Sequence, residues 1–294
     1  MNSLKDIFKK LISNRQSKIG VFIISLYILV GIFAPFIAGK YNPKDPYISK
    51  QHSFSPIPQK PSLKAPFGTT QNQYDIFYSM VWGTRLAFKI SVTVVVISAL
   101  IGIIIGWLSG YYGGLTDELI MRFTDMILSI PSLVLAMVIA SILGPGMEKI
   151  VIALAFVSWP SYARLFRSEI LKIKSMDYIE YSRIIKASSF WILKKHIIPN
   201  AIYNLIIMAS LDIANIVLMA SSLSFLGLGS PQGYADWGQV ISMSRNWIIS
   251  SLSNPLEYAH IVIIPSAFIF FFVYGFNLIG DSFRDIFDPK QQTR

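Results

Sequence analysis

Asp212 is the side chain best placed to do chemistry. It sits in the middle of an apolar run, about 201–228, that is long enough to cross a bilayer. An acid there is costly, and by default it faces the protein interior or a watery path. On a helix of 3.6 residues per turn, Asn204, Met208, Asp212, Asn215 and Ser222 fall within about 80° of one another. That face has two readings. Either it lines a translocation route, or it makes satisfied polar contacts with a neighbouring helix. Other chemistries are absent. There is no G-x4-G-K-[ST] loop to cradle ATP phosphates, no H-E-x-x-H and no G-x-S-x-G elbow. The three histidines, His52, His196 and His260, fall in different segments, so no metal site is expected. With no cysteine, disulfides, thiol catalysis and thiolate metal sites are excluded. The chain is therefore expected to be non-catalytic and to bind no cofactor. If ATP drives its work, another chain supplies the ATPase.

The second notable stretch is the basic loop 164–200. It predicts two short helices. One runs from about Met176 to Lys186, with Ser175 as N-cap, Asp177 in the first turn, and Glu180 able to pair with Arg183. The other begins after Ser188 and is ended by Pro199. Both are too short to stand alone in water. Both carry bulky apolar groups, Tyr178, Ile179, Ile184 and Ile185, then Phe190, Trp191 and Ile192. Such a face packs on the chain's own membrane domain or docks into a groove on a soluble partner.

The elements that hold these residues follow from hydropathy. Of 294 residues, 53% are hydrophobic and only 14% are charged, which marks an all-α membrane protein. Six spans are expected: about 19–38, 86–111, one starting near Asp117 with a kink at Pro131, 150–163, 201–228 and 260–279. Residues 1–18 read as an amphipathic surface helix. Residues 39–84 form a Pro-rich external loop, 85–280 a core of five spans, and 281–294 a tail. Sixteen of the 26 Lys and Arg lie in 1–18, 164–200 and 281–294, against seven in 39–84, 144–149 and 229–259. That bias places both termini and the 164–200 loop in the cytoplasm. In a soluble protein the net charge of +10 would point to nucleic acid. Here it marks basic loops against anionic lipid, and no nucleic-acid partner is expected. Ser98, Gly102, Gly106 and Gly110 recur every four residues, which lets helices pack closely in lipid. Arg122 and Asp125 can pair. Trp237 and Trp247, in an outer loop 229–259, suit a membrane interface, as does His260 at the start of the sixth span.

Several of these stretches resemble one family. Glu180, Lys186, His196, Ile198 and Pro199 keep the register of the E-A-A-x3-G-x9-I-x-L-P loop of the membrane subunits of ATP-binding-cassette importers. Tyr181 and Ser182 stand for the two alanines, and His196 for the first isoleucine. Lys186 replaces the glycine, a residue that would permit a sharp turn. The ending KHIIPN is similar to R-H-I-L-P-N of the dipeptide/oligopeptide/nickel branch. So are Gly68, Thr69 and Asp75 in FGTTQNQYD, the stretch DELIMRFTDMILSIPSLVLA, SLSFLGLG, and FNLIGDSFRDIFDPK. The resemblance implies a type I importer permease fold in a prokaryotic inner membrane. It implies a homologous second permease, two ATPase subunits that carry ATP and Mg2+, and an external solute-binding protein. Tyr178, Glu180, Lys186, Ala187, His196 and Pro199 would then belong to an ATPase-coupling loop. The solute would be a dipeptide, an oligopeptide or a relative such as nickel. The rivals are an ion-gradient-driven transporter with Asp212 as coupling acid, though no inverted repeat of broken helices is visible, and a membrane scaffold that carries no solute.

Overall fold

The computed structural model describes residues 14–52, 55, 57–250 and 257–287. The surface helix expected over 1–18 lies mostly outside them, as does the end of the tail. Helices follow in the order α1 (Arg15–Ile37), α2 (Ile76–Tyr112), α3 (Gly114–Leu128), α4 (Ser132–Leu143), α5 (Met147–Lys174), α6 (Asp177–Ile184), α7 (Ser189–Ile192), α8 (Ile198–Phe225), α9 (Trp237–Ser250) and α10 (His260–Phe287). A five-residue wide turn, Leu193–Ile197, joins α7 to α8. Among the described residues the only extended pairings are three isolated bridges, so the chain is all-α. Among the described residues five helical runs are long and apolar enough to cross a membrane, six if α3 and α4, which meet at an 87° bend, are counted together as one span.

Several boundaries differ from the expectation, each for a local reason. α2 begins ten residues before the expected Leu86, inside the stretch read as loop. Asp75 caps it by accepting from Tyr78 N at 3.1 Å, and His52 Nε2 lies 2.9 Å from the other carboxylate oxygen. Pro131 breaks its span outright, because Ser129 already closes α3 and the proline brings no N–H to continue the ladder. α5 continues past Ala163 to Lys174, so the first third of the basic loop is helix. Ser175 does not cap α6; its hydroxyl turns back to Lys172 O at 2.9 Å. Ser188 does cap, accepting from Trp191 N at 3.2 Å. Pro199 opens α8 instead of ending a helix. The turn before it widens so that Ile198 N reaches Leu193 O, five residues back, while Pro199 needs no donor. α7, the wide turn and α8 therefore run together from Ser189 to Phe225. The expected outer loop contains α9, and α10 runs eight residues past Ile279.

The tightest seam is α2 on α5. A Cβ on Gly102 would overlap Tyr162 Cβ. One on Gly106 would lie 2.5 Å from Ala163 O, and one on Gly110 3.1 Å from Ile170 Cβ. Ser98 Oγ points to Ala155 O at 3.4 Å. Small residues every four places thus bring the two backbones together within one chain. α1 packs on α10 in the same way. Ser17 Oγ donates to Ser282 Oγ at 2.6 Å, and a Cβ on Gly20 would come within 2.8 Å of Leu278 Cβ. Between them lies an aromatic cluster of Tyr27, Phe88, Phe268, Phe272 and Trp237. Trp237 is thereby a core residue, 3% exposed with Nε1 on Met80 O, and not an interface residue. Trp247 bonds Gln71 and packs edge-on against Tyr258.

Candidate functional site

α8 carries Asp212 into a cavity of about 730 Å³ between the start of α4, the middle of α5 and α8 itself. Met208, Asp212, Asn215 and Ser222, four of the five face residues read from the sequence, line it together with Ser132, Ser158 and Ser161. The fifth, Asn204, lies lower on α8 and donates through Nδ2 to Glu169 Oε1 at 2.8 Å, outside the cavity. Asp212 is the one carboxylate among the lining residues, and the rest of the polar lining is hydroxyl and amide.

Asp212 is held from behind. Tyr162, fully buried on α5, donates its hydroxyl to Asp212 Oδ2 at 3.0 Å. Tyr162 can sit there because Gly102 leaves room for its Cβ. The position of the acid is thus set across three helices, α2 to α5 to α8. The polar contact with a neighbouring helix is formed, one oxygen taking the Tyr162 hydroxyl, and the residue also lines the cavity. Tyr162 and the serines of α5 were not singled out in the sequence. Ser158 and Ser161, three apart inside a span, were the available signal.

The upper end of α8 is latched. Asp236 accepts from Ser224 Oγ at 2.6 Å, Ser230 Oγ at 3.0 Å, Gly238 N at 3.0 Å and Gln239 N at 3.4 Å. Burial raises its carboxyl above the ordinary carboxylate range, and those four donors pull it back only in part. The SFLGLG stretch makes this latch. Gly227 has φ +83°, and a Cβ on Gly229 would overlap Ser224.

The other end of α8 leads into the segment 175–200, which has two faces. Ile179, Ser182, Ile192, Leu193 and Ile197 are buried on the membrane domain. Tyr178, Tyr181, Ile184, Ile185, Phe190 and Trp191 are exposed, Ile185 at 74%. Of the two positions where the family has alanine, Ser182 faces inward and Tyr181 outward. Glu180, Lys186 and Pro199 are exposed; Ala187 and His196 are half-buried, and the His196 ring lies between Tyr178 and Trp191 at 5.3 and 5.2 Å. The partner expected for Glu180, the Arg183 side chain, is outside the description. Lys186 has φ +58°, and Ala187 N bonds Ser182 O. This is the left-handed helix cap at which glycine is favoured. The lysine adopts the glycine's conformation and bears the strain.

Ion pairs fasten this end. Arg167 grips Asp117 with Nε and Nη2, both at 2.5 Å, and Ser109 also donates to Asp117. Arg164 reaches Asp125 at 2.6 Å. The expected Arg122–Asp125 pair is not formed: Arg122 takes Glu118, one turn back, and Asp125 is left to Arg164. Lys174 Nζ donates to Tyr111 O at 2.8 Å. The lower half of α5 is thereby tied to the α2–α3 corner. His260, at the start of α10, lies with Nε2 3.3 Å from Gln59 O. Among the described residues no group of three His, Asp or Glu gathers to hold a metal.

Comparison with known proteins gives the chain's family. Residues 102–293 match the family described as binding-protein-dependent transport system inner membrane component, and residues 3–66 match the N-terminal TM domain of oligopeptide transport permease C. The chain is 34% identical over 290 residues to the dipeptide transport system permease protein DppC of Alkalihalophilus pseudofirmus, covering 98% of this chain and 90% of that one. It is 37% identical over 268 residues to the probable D,D-dipeptide transport system permease protein DdpC of Escherichia coli, covering 91% and 85%. It is 33% identical over 286 residues to the oligopeptide transport system permease protein OppC of Bacillus subtilis, covering 97% and 89%. A membrane-spanning helical chain with this match over most of its length belongs to the family of inner membrane components of binding-protein-dependent transport systems.

Proposed function

We propose that this chain is one of two permease subunits of an ATP-driven importer of dipeptides or oligopeptides, and that it couples a partner's ATP hydrolysis to alternating access. The observation that supports this most is the similarity, over nearly the whole chain, to relatives named as peptide permeases. The comparisons give no support to the gradient-driven reading. In the proposed assembly the second subunit is a homologous permease, two ATPase subunits carry ATP and Mg2+, and an external binding protein delivers the solute. Both termini and segment 175–200 face the cytoplasm, in keeping with the charge bias.

The geometry suits such coupling. The exposed row Tyr181, Ile184, Ile185 and Phe190 offers an apolar ridge to a groove on the ATPase. Phe190 stands on the helical run Ser189–Phe225, about 55 Å long, so movement there passes directly into α8, and the short link 185–188 ties the α6 part of the ridge to the same run. The Arg167–Asp117 and Arg164–Asp125 pairs make α5 and α3 follow. The walls of the Asp212 cavity then move relative to one another, and the polar face of α8 lines the path. This chain performs no bond-breaking step.

The test is reconstitution of the purified complex in proteoliposomes, with binding protein outside and ATP inside. Peptide uptake that needs ATP and survives an uncoupler is the expected result. Uptake by this chain without any ATPase, abolished by an uncoupler, would overturn the proposal.

A further inference from the structure

Segments 1–18, 164–200, 281–294 and the three outer loops leave three basic residues unassigned, and two of them, Arg85 and Lys89, lie one turn apart in the membrane-spanning helix α2. From Ile90 to Tyr112 no charged residue follows, so the pair stands at the boundary of the apolar stretch. Both side chains are exposed, and among the described residues neither makes a hydrogen bond or an ion pair. They are held by aromatic rings instead. The Arg85 guanidinium lies 5.3 Å from the Trp82 ring centre, and Lys89 Nζ lies 5.9 Å from that of Tyr47. Both rings are fixed in turn: Trp82 Nε1 donates to Gly39 O at 2.8 Å, and Tyr47 packs edge-on against Trp82. The nearby acids make no ion pair with either cation. Asp45 accepts from Tyr47 N and from the Tyr234 hydroxyl, and Glu148, across the adjoining recess, makes no ion pair with Lys89.

The surface around the pair is a groove of about 520 Å³ between α1 and α2. Gly31 of α1 lets the Arg85 stem lie across it, 3.6 Å from where a Cβ would be. Ile28 and Ile32 form one wall and Phe88 and Val92 the other. On α2, Arg85, Lys89, Val92, Val96 and Leu100 share one stripe, within about 80°. The last three are 44%, 50% and 57% exposed. From Lys89 to Leu100 the stripe runs about 16 Å, the depth of one leaflet's hydrocarbon. Two cations without an ion-pair partner, above an apolar strip of acyl-chain length, are complementary to one molecule. We propose that this groove binds an anionic phospholipid, with its phosphate on Arg85 and Lys89 and an acyl chain along Val92, Val96 and Leu100. The lipid lies in the leaflet on the side of the 39–75 loop. A zwitterionic lipid would offer the same chains but would bring its own cation to the pair.

The test uses the purified transporter complex, stripped of lipid in detergent and given phosphatidylglycerol and phosphatidylcholine of identical chains at equal concentration, with bound lipid counted by native mass spectrometry. The expected result is a preference for phosphatidylglycerol that falls roughly thirtyfold in the Arg85→Gln/Lys89→Gln chain and survives in the charge-keeping Arg85→Lys/Lys89→Arg chain. An equal preference in wild type and the neutralised chain overturns the proposal. A photo-reactive residue at Val92 in the otherwise native complex gives a second readout that needs no neutralised chain to fold. Crosslinking to lipid supports the site, and crosslinking to a protein subunit overturns it.

Discussion

α5 has two very different sides. Toward α2 it is sealed: at Gly102 and Gly106 the backbones are so close that any side chain would collide, and at Gly110 a Cβ would fit only tightly. Toward α8 it stands off and leaves the 730 Å³ cavity with Asp212, Ser158 and Ser161 on its walls. One helix thus serves as part of a rigid block on one face and as the wall of a space on the other. Sequence spacing decides which face is which. Glycine every fourth residue removes the volume that would hold helices apart, and polar side chains inside a span mark where they are not closed. α8 is fixed at its ends by the Asp236 latch and segment 175–200, and in its middle by Tyr162 on one side and Gly280 of α10 on the other.

The contrast can be broken most forcefully on the sealed side. Gly102→Leu should drive Tyr162 and the α5 backbone away, at a cost of about 3 kcal/mol or more, with loss of monodisperse protein in detergent. Gly31→Ala, whose added Cβ meets only ordinary contacts at 3.6–3.7 Å, should leave the elution profile unchanged. Next comes the latch. Asp236→Ala strands two serine hydroxyls and two backbone N–H groups in a buried site and should cost about 3 kcal/mol in thermal unfolding.

The same carboxyl makes a pH prediction. Its folded value is raised above the unfolded value of about 3.9, so the folded chain binds more protons in the window between the two. Its contribution to stability is therefore fullest below about pH 4 and is lost as pH rises through the raised value. Unfolding midpoints measured across that acid window should show a slope that disappears in Asp236→Asn.

On the coupling side, Lys186→Gly should remove the left-handed strain and stabilise the 175–200 segment by about 1 kcal/mol, read as slower hydrogen exchange at Ala187. Faster exchange would mean that the lysine makes a compensating contact. On the open side, Asp212→Asn can still accept from Tyr162, so its unfolding midpoint should move least of all, while peptide uptake falls. Unchanged uptake at all substrate concentrations would remove the charge from the path.

Five of the expected spans, their order and the basic segment were legible because apolar runs of bilayer length can hardly be read otherwise, while the expected third span is two helices meeting at 87°. Asp75 was read only as part of the loop, because hydropathy alone starts the run at Leu86, whereas it caps a helix that begins at Ile76. What stayed hidden depends on partners far along the chain. Tyr162 meets Asp212 across 50 residues, and Trp237 meets Met80 across 157. Nothing near Trp237 distinguishes a core indole from an interfacial one. Pro131 and Pro199 show the limit of local rules. One breaks a span and the other opens one, and the difference lies in whether the turn before the proline closes or widens.

The Ser17–Ser282 contact has a consequence in time. The first span completes its seam only against the last, 265 residues later. At 5–20 residues per second, a ribosome needs roughly 10–50 s to deliver that partner. For that interval α1 waits in the bilayer with Ser17 and Gly20 uncovered, open to any other helix in the membrane. Chains that stop short of α10 never close that face, and a membrane protease that recognises unpaired polar helices can sort them from finished ones.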